Sequence, residues 1–316
     1  MIRRLEELFT EEFLPECRYA RKVSDVSIRG YKSAFELFEK IMPEVIYPDN
    51  ITKNGMVDFF KKLDTRKRIV GKGREKIGVK KSTVATYWSK LNSFFTWLKK
   101  NEHINCNPLK EMEYPRVDYL DRKFLQKKQV ERIFNTLDFV IHWKNDFIRK
   151  RNILMFTILL TCGLRKGELL GLKNRDIDLE RRYLTVRAET SKSRMQRVLP
   201  LNTLAISKIK DYFNDKRKMG VDSEYLFVSD DRGSGLGYDG IKHLVEKVKE
   251  VSGINFHLHQ FRHTFAVNLL MAKTDILKLK QLLGHRDIRM TAAYVRCLPT
   301  EEMRDDVEAL SIDNLI

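Results

Sequence analysis

Six side chains in the second half of the 316-residue sequence have the types needed to act together on one phosphodiester: Arg165, Lys192, His259, Arg262, His285 and Tyr294. Two arginines can hold the non-bridging oxygens with bidentate, charge-assisted hydrogen bonds. The same pair neutralises the charge that grows as a fifth oxygen approaches phosphorus. A tyrosine hydroxyl can attack and form a phosphotyrosine. A free phenol, with a pKa of about 10, is ionised to only roughly one part in a thousand at pH 7. Nearby cations lower that pKa, and a histidine can accept the proton. A mobile lysine can protonate the departing 5′ oxygen. This chemistry needs no metal and no cofactor. The sequence carries no HExxH and no nucleotide-binding loop, so the energy of the broken bond has to be kept in the covalent link.

Taken singly, each residue has an ordinary reading. Arg165 follows a glycine at an expected helix end, in TCGLRKGELLGLKNRDID, and a lone arginine there is usually a surface residue. Lys192 sits near the tip of the turn TSKSRMQR, where lysines are usually just solvated. His259 and Arg262, three apart in HLHQFRHTFAV, share one face of a helix. His257 and His263 in that segment are set aside as residues that pack or cap. His285 follows a glycine at a helix start, and Tyr294 lies nine residues later on a helix of small residues.

The elements that must position these groups are mostly helices. Apolar residues recur at helical spacing over 25–42 and 82–99, the second opening with Ser82 as an N-cap. Between them, residues 65–82 form a strongly basic run read as a loop, either solvated or tracking phosphates. Its cations Lys67, Arg68, Lys72, Arg74, Lys76, Lys80 and Lys81 are the candidate DNA-binding residues. Residues 113–122 lie in a proline-containing stretch without periodicity and divide the chain into domains 1–112 and 123–316. In the second domain two helices are expected, the latter ending at Gly163. A hairpin is expected from 183–187 and 196–201, with 225–229 as a third strand.

The charge balance points the same way. Sixty Lys and Arg against 43 Asp and Glu give a formal net charge of +17, which calls for a polyanionic partner. With 42% hydrophobic and 33% charged residues the chain is expected to be globular. Its four cysteines are scattered, and His103 with Cys106 makes no metal site without a second pair. The N-terminus lacks an apolar signal region and no uncharged run spans a membrane, so a cytoplasmic location is expected.

The four segments, in this order, closely resemble the tyrosine recombinases, the phage integrase family. GLRKGELLGL resembles the first-arginine box, with Arg165 as its arginine. Lys192, eight residues before Pro200 in a K…R-V-L-P pattern, matches the hairpin lysine. HQFRHTF matches the HxxR box at His259 and Arg262, and LLGHRD…AAY matches the last box at His285 and Tyr294. Each motif alone is weak or moderate; all of them in order across 161–296 are specific. STVATYWSKLNSFFTWL followed by NPL is similar to the last helices of the family's core-binding domain. Phe261 stands where the family often has leucine, and Lys166 and Gly167 fall where the box varies.

The resemblance implies a mainly α fold: a helical, SAM-like core-binding domain plus an α+β catalytic domain with a small antiparallel sheet, together a C-shaped clamp on DNA. It implies that Arg165 and Arg262 bind the scissile phosphate, His259 assists proton transfer, and His285 contacts the phosphate or stabilises the transition state. Lys192 is then the general acid, Tyr294 the nucleophile of a 3′-phosphotyrosine, and Glu168 an acid that orients an arginine. The partners implied are double-stranded DNA and three further copies in a homotetramer on paired sites, with accessory proteins as a further class. The length, closest to Xer-type and simple integrases, leaves no room for an arm-binding domain. The tail from Leu298 to Ile316 is expected to form an amphipathic helix, packing on a neighbouring subunit or on its own domain. Two other readings share this fold. A type IB topoisomerase would use much the same residues, but the compact helical first domain and the tail favour recombination. A non-catalytic DNA-binding protein would have lost some of the six residues, and all six are present.

Overall fold

The computed structural model describes residues 3–71, 73–115, 124–229 and 233–298. Lys72, most of the expected linker and the tail beyond Leu298 lie outside them. The chain divides into two compact units, Met1–Asp118 and Tyr119–Ile316. Among the described residues no helix is long and apolar enough to cross a membrane.

The first unit is helical. Helix α1 (Leu5–Glu7) runs on into wider turns over Leu8–Phe13 and Glu16–Ala20. Helix α2 (Asp25–Ile41) is capped by the Ser24 side chain, which accepts the Ser27 N–H, and α3 (Lys53–Thr65) by Thr52. Their apolar faces meet α4 (Lys81–Lys100) in an aromatic core of Phe9, Phe13, Phe35, Phe38, Phe59, Phe94 and Phe95. Phe9 stacks on Phe35 with centroids 3.9 Å apart, and Phe94 meets both edge-on.

The basic run 65–82 is not the loop expected of it. It forms an antiparallel hairpin, β1 (Lys67–Val70) with β2 (Arg74–Ile77), in which Lys67 pairs with Ile77 and Arg68 with Lys76. Polarity hid it: strands are normally recognised by an apolar face, and every residue of β2 is exposed. Nor does Ser82 cap α4. The helix begins at Lys81 behind an extended Lys80, because Gly78 N–H closes the hairpin onto Arg66 C=O and the chain turns at once into the helix.

The second unit is built around α6. Helix α5 (Lys127–Asn135) leads through a wide turn, Thr136–Val140, to α6 (Asp146–Cys162), whose stretch Ile153–Leu159 is apolar but for Thr157 and buried on every side. Leu154, Met155, Phe156, Ile158 and Leu159 are fully inaccessible. Short helix α7 (Lys166–Leu170) precedes a three-stranded antiparallel sheet of order β3 (Ile177–Asp178), β4 (Tyr183–Val186), β5 (Arg197–Pro200). Helices α8 (Thr203–Lys218), α9 (Tyr238–Ser252), α10 (Leu258–Met271), α11 (Ile276–Leu283) and α12 (Ile288–Val295) complete it. The hairpin of β4 and β5 stands where it was expected, but 225–229 is not the third strand. That segment makes only isolated bridges, Lys173 to Tyr225 and Val228 to Gly235. The carbonyls of Val228 and Ser229 are taken instead by the buried Arg151 guanidinium, at 2.7 and 2.8 Å.

Candidate active site

The site starts where α6 stops. Gly163 ends the helix with φ +60°, a conformation that costs glycine nothing. A Cβ there would lie 2.3 Å from the Phe265 ring, so α10 approaches this turn closely because the residue is glycine. The reversal puts Arg165 at the N-cap of α7, where its backbone N–H donates to Glu168 Oε2 and its Nη1 to Oε1, both at 2.9 Å.

Glu168 is almost wholly buried and serves a second cation. Arg197 donates Nη1 and Nη2 to its two oxygens at 3.0 and 2.7 Å, and Nε to Leu282 C=O at 2.9 Å. Burial pushes the Glu168 carboxyl upward, but Arg197 and Arg165 outweigh it and hold the group at about 2. Sequence reasoning gave Arg197 no part. Its signal was strand phase: in R-V-L-P the inward positions are 197 and 199, and a charge on the inward phase needs an internal partner.

Arg262, on α10, is 1% exposed. Its Nη1 donates to Gly163 C=O at 2.7 Å and its Nη2 to Leu283 C=O at 2.6 Å. Nη2 also faces His285 Nε2 at 3.0 Å. A guanidinium only donates, so Nε2 accepts, and the proton of the imidazole sits on Nδ1, directed at Thr291 Oγ1, 2.9 Å away. His285 is thus a neutral ring whose tautomer is set by its two partners. It follows Gly284, a left-handed cap of α11 with φ +63°. Burial and the nearby charge of Arg165 pull the Arg262 guanidinium down to about 9, so it stays protonated at neutral pH.

Tyr294, on α12, is 1% exposed and its ring lies parallel to that of His285, 6.3 Å away. Its hydroxyl is 3.0 Å from His263 Nδ1. This contact removes His263 from the set of bystanders. Spacing was the available signal: His263 is one turn from His259 on the same helix, and the two rings stand edge to face at 4.4 Å. His259 is exposed. His257 does take a capping role: its N–H donates to Gln260 Oε1 at 2.8 Å at the start of α10.

Lys192 lies on the exposed β4–β5 turn between two buried serines. Ser191 Oγ bonds Ser193 Oγ at 2.8 Å and reaches Glu168 Oε1 at 3.4 Å. Ser193 C=O accepts from Arg286 Nε and Nη2 at 3.1 and 2.7 Å. The turn is therefore pinned on both sides of the lysine, to Glu168 and to the residue after His285. Arg165 contacts Glu168, Arg262 contacts His285 and the Tyr294 ring lies parallel to His285, while the ring of His259 reaches Tyr294 through His263. Two guanidiniums, Arg165 and Arg197, hold one carboxylate, and Arg262 lies within reach of their charge, an excess of positive charge that suits an anion of the phosphodiester class.

The hairpin residues belong to the first unit. Lys67 faces Glu75 at 3.6 Å on one side of the ribbon, together with the exposed Ile69 and Ile77. Arg68, Arg74 and Lys76 share the other side, and Arg68 Nε is held by Gly78 C=O at 2.6 Å. Lys80 and Lys81 are exposed at the start of α4.

The phage integrase family model matches residues 123–301. A tyrosine recombinase XerC of Bacillus licheniformis is 28% identical over 301 residues, covering 90% of each chain. One of Bacillus pumilus is 29% identical over 307 residues, covering 92% of this chain and 91% of its own. In fold, the chain is similar to the XerH site-specific recombinase solved with palindromic difH substrate, with a TM-score of 0.71 and 20% identity over 93% of this chain and 82% of that one. This chain belongs to the phage integrase family: it is a tyrosine recombinase, an enzyme that cuts and rejoins DNA strands.

Proposed function

We propose that Tyr294 is the nucleophile and that the scissile phosphate lies between Arg165 and Arg262. The Tyr294 oxygen bonds to phosphorus as the bond to the 5′ oxygen breaks, leaving a 3′-phosphotyrosine and a 5′-hydroxyl. Lys192 donates the proton that the 5′ oxygen needs. His285, neutral and anchored to Arg262, hydrogen-bonds the phosphate or steadies the transition state, and His259 assists proton transfer. Glu168 touches no substrate in this reading and orients Arg165. The observation that carries it is the convergence of a buried tyrosine hydroxyl and two arginines on one electropositive cluster.

The partner is double-stranded DNA. The recombinases and lambda integrase similar in fold were solved on DNA sites, and the +17 charge suits that partner. Residues 1–112 are the core-binding domain, its hairpin cations Lys67, Arg68, Lys72, Arg74 and Lys76 with Lys80 and Lys81 meeting phosphates. Residues 123–316 are the catalytic domain. Four copies assemble on paired sites in the cytoplasm, with or without accessory proteins. The test is Tyr294→Phe, assayed for SDS-stable protein–DNA complexes on a duplex that the protein selects from a random-sequence library, nicked at successive positions. The expected result is loss of the covalent complex with duplex binding retained. Covalent complexes persisting in this variant would sink the assignment, and Tyr183 and Tyr225 would be tested next.

A further inference from the structure

A phenol buried to 1% exposure is shielded from bulk solvent, and an unpaired phenolate in such a site is costly. The proton needs an acceptor inside the protein. The imidazole on the Tyr294 oxygen is that of His263, with Nδ1 at 3.0 Å. His259 stands one helical turn back, its ring centroid 4.4 Å from that of His263. Burial falls along this series: Tyr294 is buried, His263 half-buried and His259 exposed. His285 lies parallel to the Tyr294 ring, but both its nitrogens are engaged, Nε2 by Arg262 and Nδ1 by Thr291.

We infer that His263 is a catalytic residue, the base that takes the Tyr294 proton, and that His259 passes that proton on to solvent. The inference rests on Tyr294 being the nucleophile. In the step, the Tyr294 O–H bond breaks as Nδ1 of a neutral His263 forms an N–H bond. The phenolate oxygen then bonds to phosphorus, and the departing 5′ oxygen takes its proton from Lys192. The proton on His263 is the one that leaves by way of His259, so charge and atoms balance.

The groups facing this pair are His259 on α10, Arg262 beside it, and His285 across on the α11–α12 turn. Arg165 lies behind Arg262, and Glu168 is already committed to two arginines. The cations favour phenolate and oppose a charged His263. A phosphodiester held by Arg165 and Arg262 brings negative charge that relieves the second effect. Proton transfer is therefore coupled to DNA being in place.

The experiment compares wild type, His263→Ala and His263→Asn by the single-turnover rate of SDS-stable complex formation on the protein-selected, nicked duplex, from pH 6 to 9.5. In wild type the rate levels off once histidine is neutral, above about pH 7. Both variants are expected to be slower at pH 7 by about 10²–10⁴-fold, the usual worth of a general base. Both are expected to recover steadily as the pH rises toward 9.5, because hydroxide then takes the proton that the missing base no longer accepts. Asparagine keeps a hydrogen-bond acceptor at the Nδ1 position and guards the fold, and unchanged duplex affinity certifies both variants. A wild-type rate in the variants overturns the proposal. So does a loss of the same size at every pH, which marks a packing role. A covalent complex surviving Tyr294→Phe is a separate result and overturns the nucleophile instead.

Discussion

Arg197 grips Glu168 with both terminal nitrogens, at 3.0 and 2.7 Å, while its Nε holds the carbonyl of Leu282. One side chain thus ties the first-arginine turn, the hairpin strand β5 and the end of α11 into a single frame. Breaking a buried pair by removing one partner typically costs about 3–5 kcal/mol, because the other charge is stranded. Arg197→Ala is expected to lose stability on that scale in urea unfolding of the free protein. Arg197→Leu combined with Glu168→Leu should recover part of the loss. A single variant within about 0.5 kcal/mol of wild type would show that the pair holds nothing together.

The same carboxylate gives the enzyme an acid limit. Glu168 is held at about 2 when folded, below the ordinary value of about 4.3 it regains when unfolded. A depressed folded pKa contributes stability that is fully present above the unfolded value and is lost as pH falls toward the folded one. The window is therefore pH 4.5 down to 2, and the contribution is about 3 kcal/mol. Glu168→Gln is expected to be less stable at pH 7 but to have a flatter pH dependence across that window, read from denaturant midpoints. Parallel curves for variant and wild type would exclude Glu168 as the titrating group.

Gly163 serves the site by being small and left-handed. Gly163→Ala combines a φ of +60° with a Cβ placed 2.3 Å from the Phe265 ring. Strain of about 1 kcal/mol or more is expected, together with displacement of α10 and hence of Arg262. Adding Phe265→Leu should relieve the clash but not the backbone strain, so the double variant should be only partly rescued in melting temperature. An alanine variant with wild-type cleavage and stability would refute the close approach.

Lys192 can be tested by its leaving group. If it protonates the 5′ oxygen, Lys192→Ala should slow cleavage of ordinary DNA by about 10²–10⁴-fold. It should spare a substrate whose 5′ leaving group is sulfur, since a thiolate departs without a proton. Equal loss on both substrates would remove Lys192 as the acid.

The hairpin is expected to reveal itself through salt. Each phosphate neutralised contributes about −0.9 to the slope of log K against log salt on duplex DNA. Arg74→Ala and Lys76→Ala lie on the same side of the ribbon and should each flatten the slope by about one unit on any duplex. Lys67, which faces Glu75, should contribute less. A slope unchanged in the Arg74→Ala, Lys76→Ala double variant would place DNA contacts elsewhere.

Residue types, order and spacing alone determined the reaction class. Arg165, Lys192, His259, Arg262, His285 and Tyr294 are defined by chemistry and by gaps along the chain, and both survive in a linear string. The long helices were legible for a similar reason: over 25–42 and 82–99 the apolar residues repeat at the helical period. The hairpin at 67–77 was not, because its pattern is charge on both sides and its register comes from backbone pairing. The strand expected at 225–229 failed because a buried arginine far away in sequence, Arg151, claims its carbonyls. Only the tertiary structure decided which titratable groups touch. His263 stands 31 positions from Tyr294 and Arg197 stands 29 from Glu168, yet each pair is in hydrogen-bond contact. Local rules reach three or four residues along a helix and two along a strand. Contacts at longer range arise from how α10, α11, α12 and β5 pack, and they turned a histidine set aside as packing into the neighbour of the tyrosine hydroxyl.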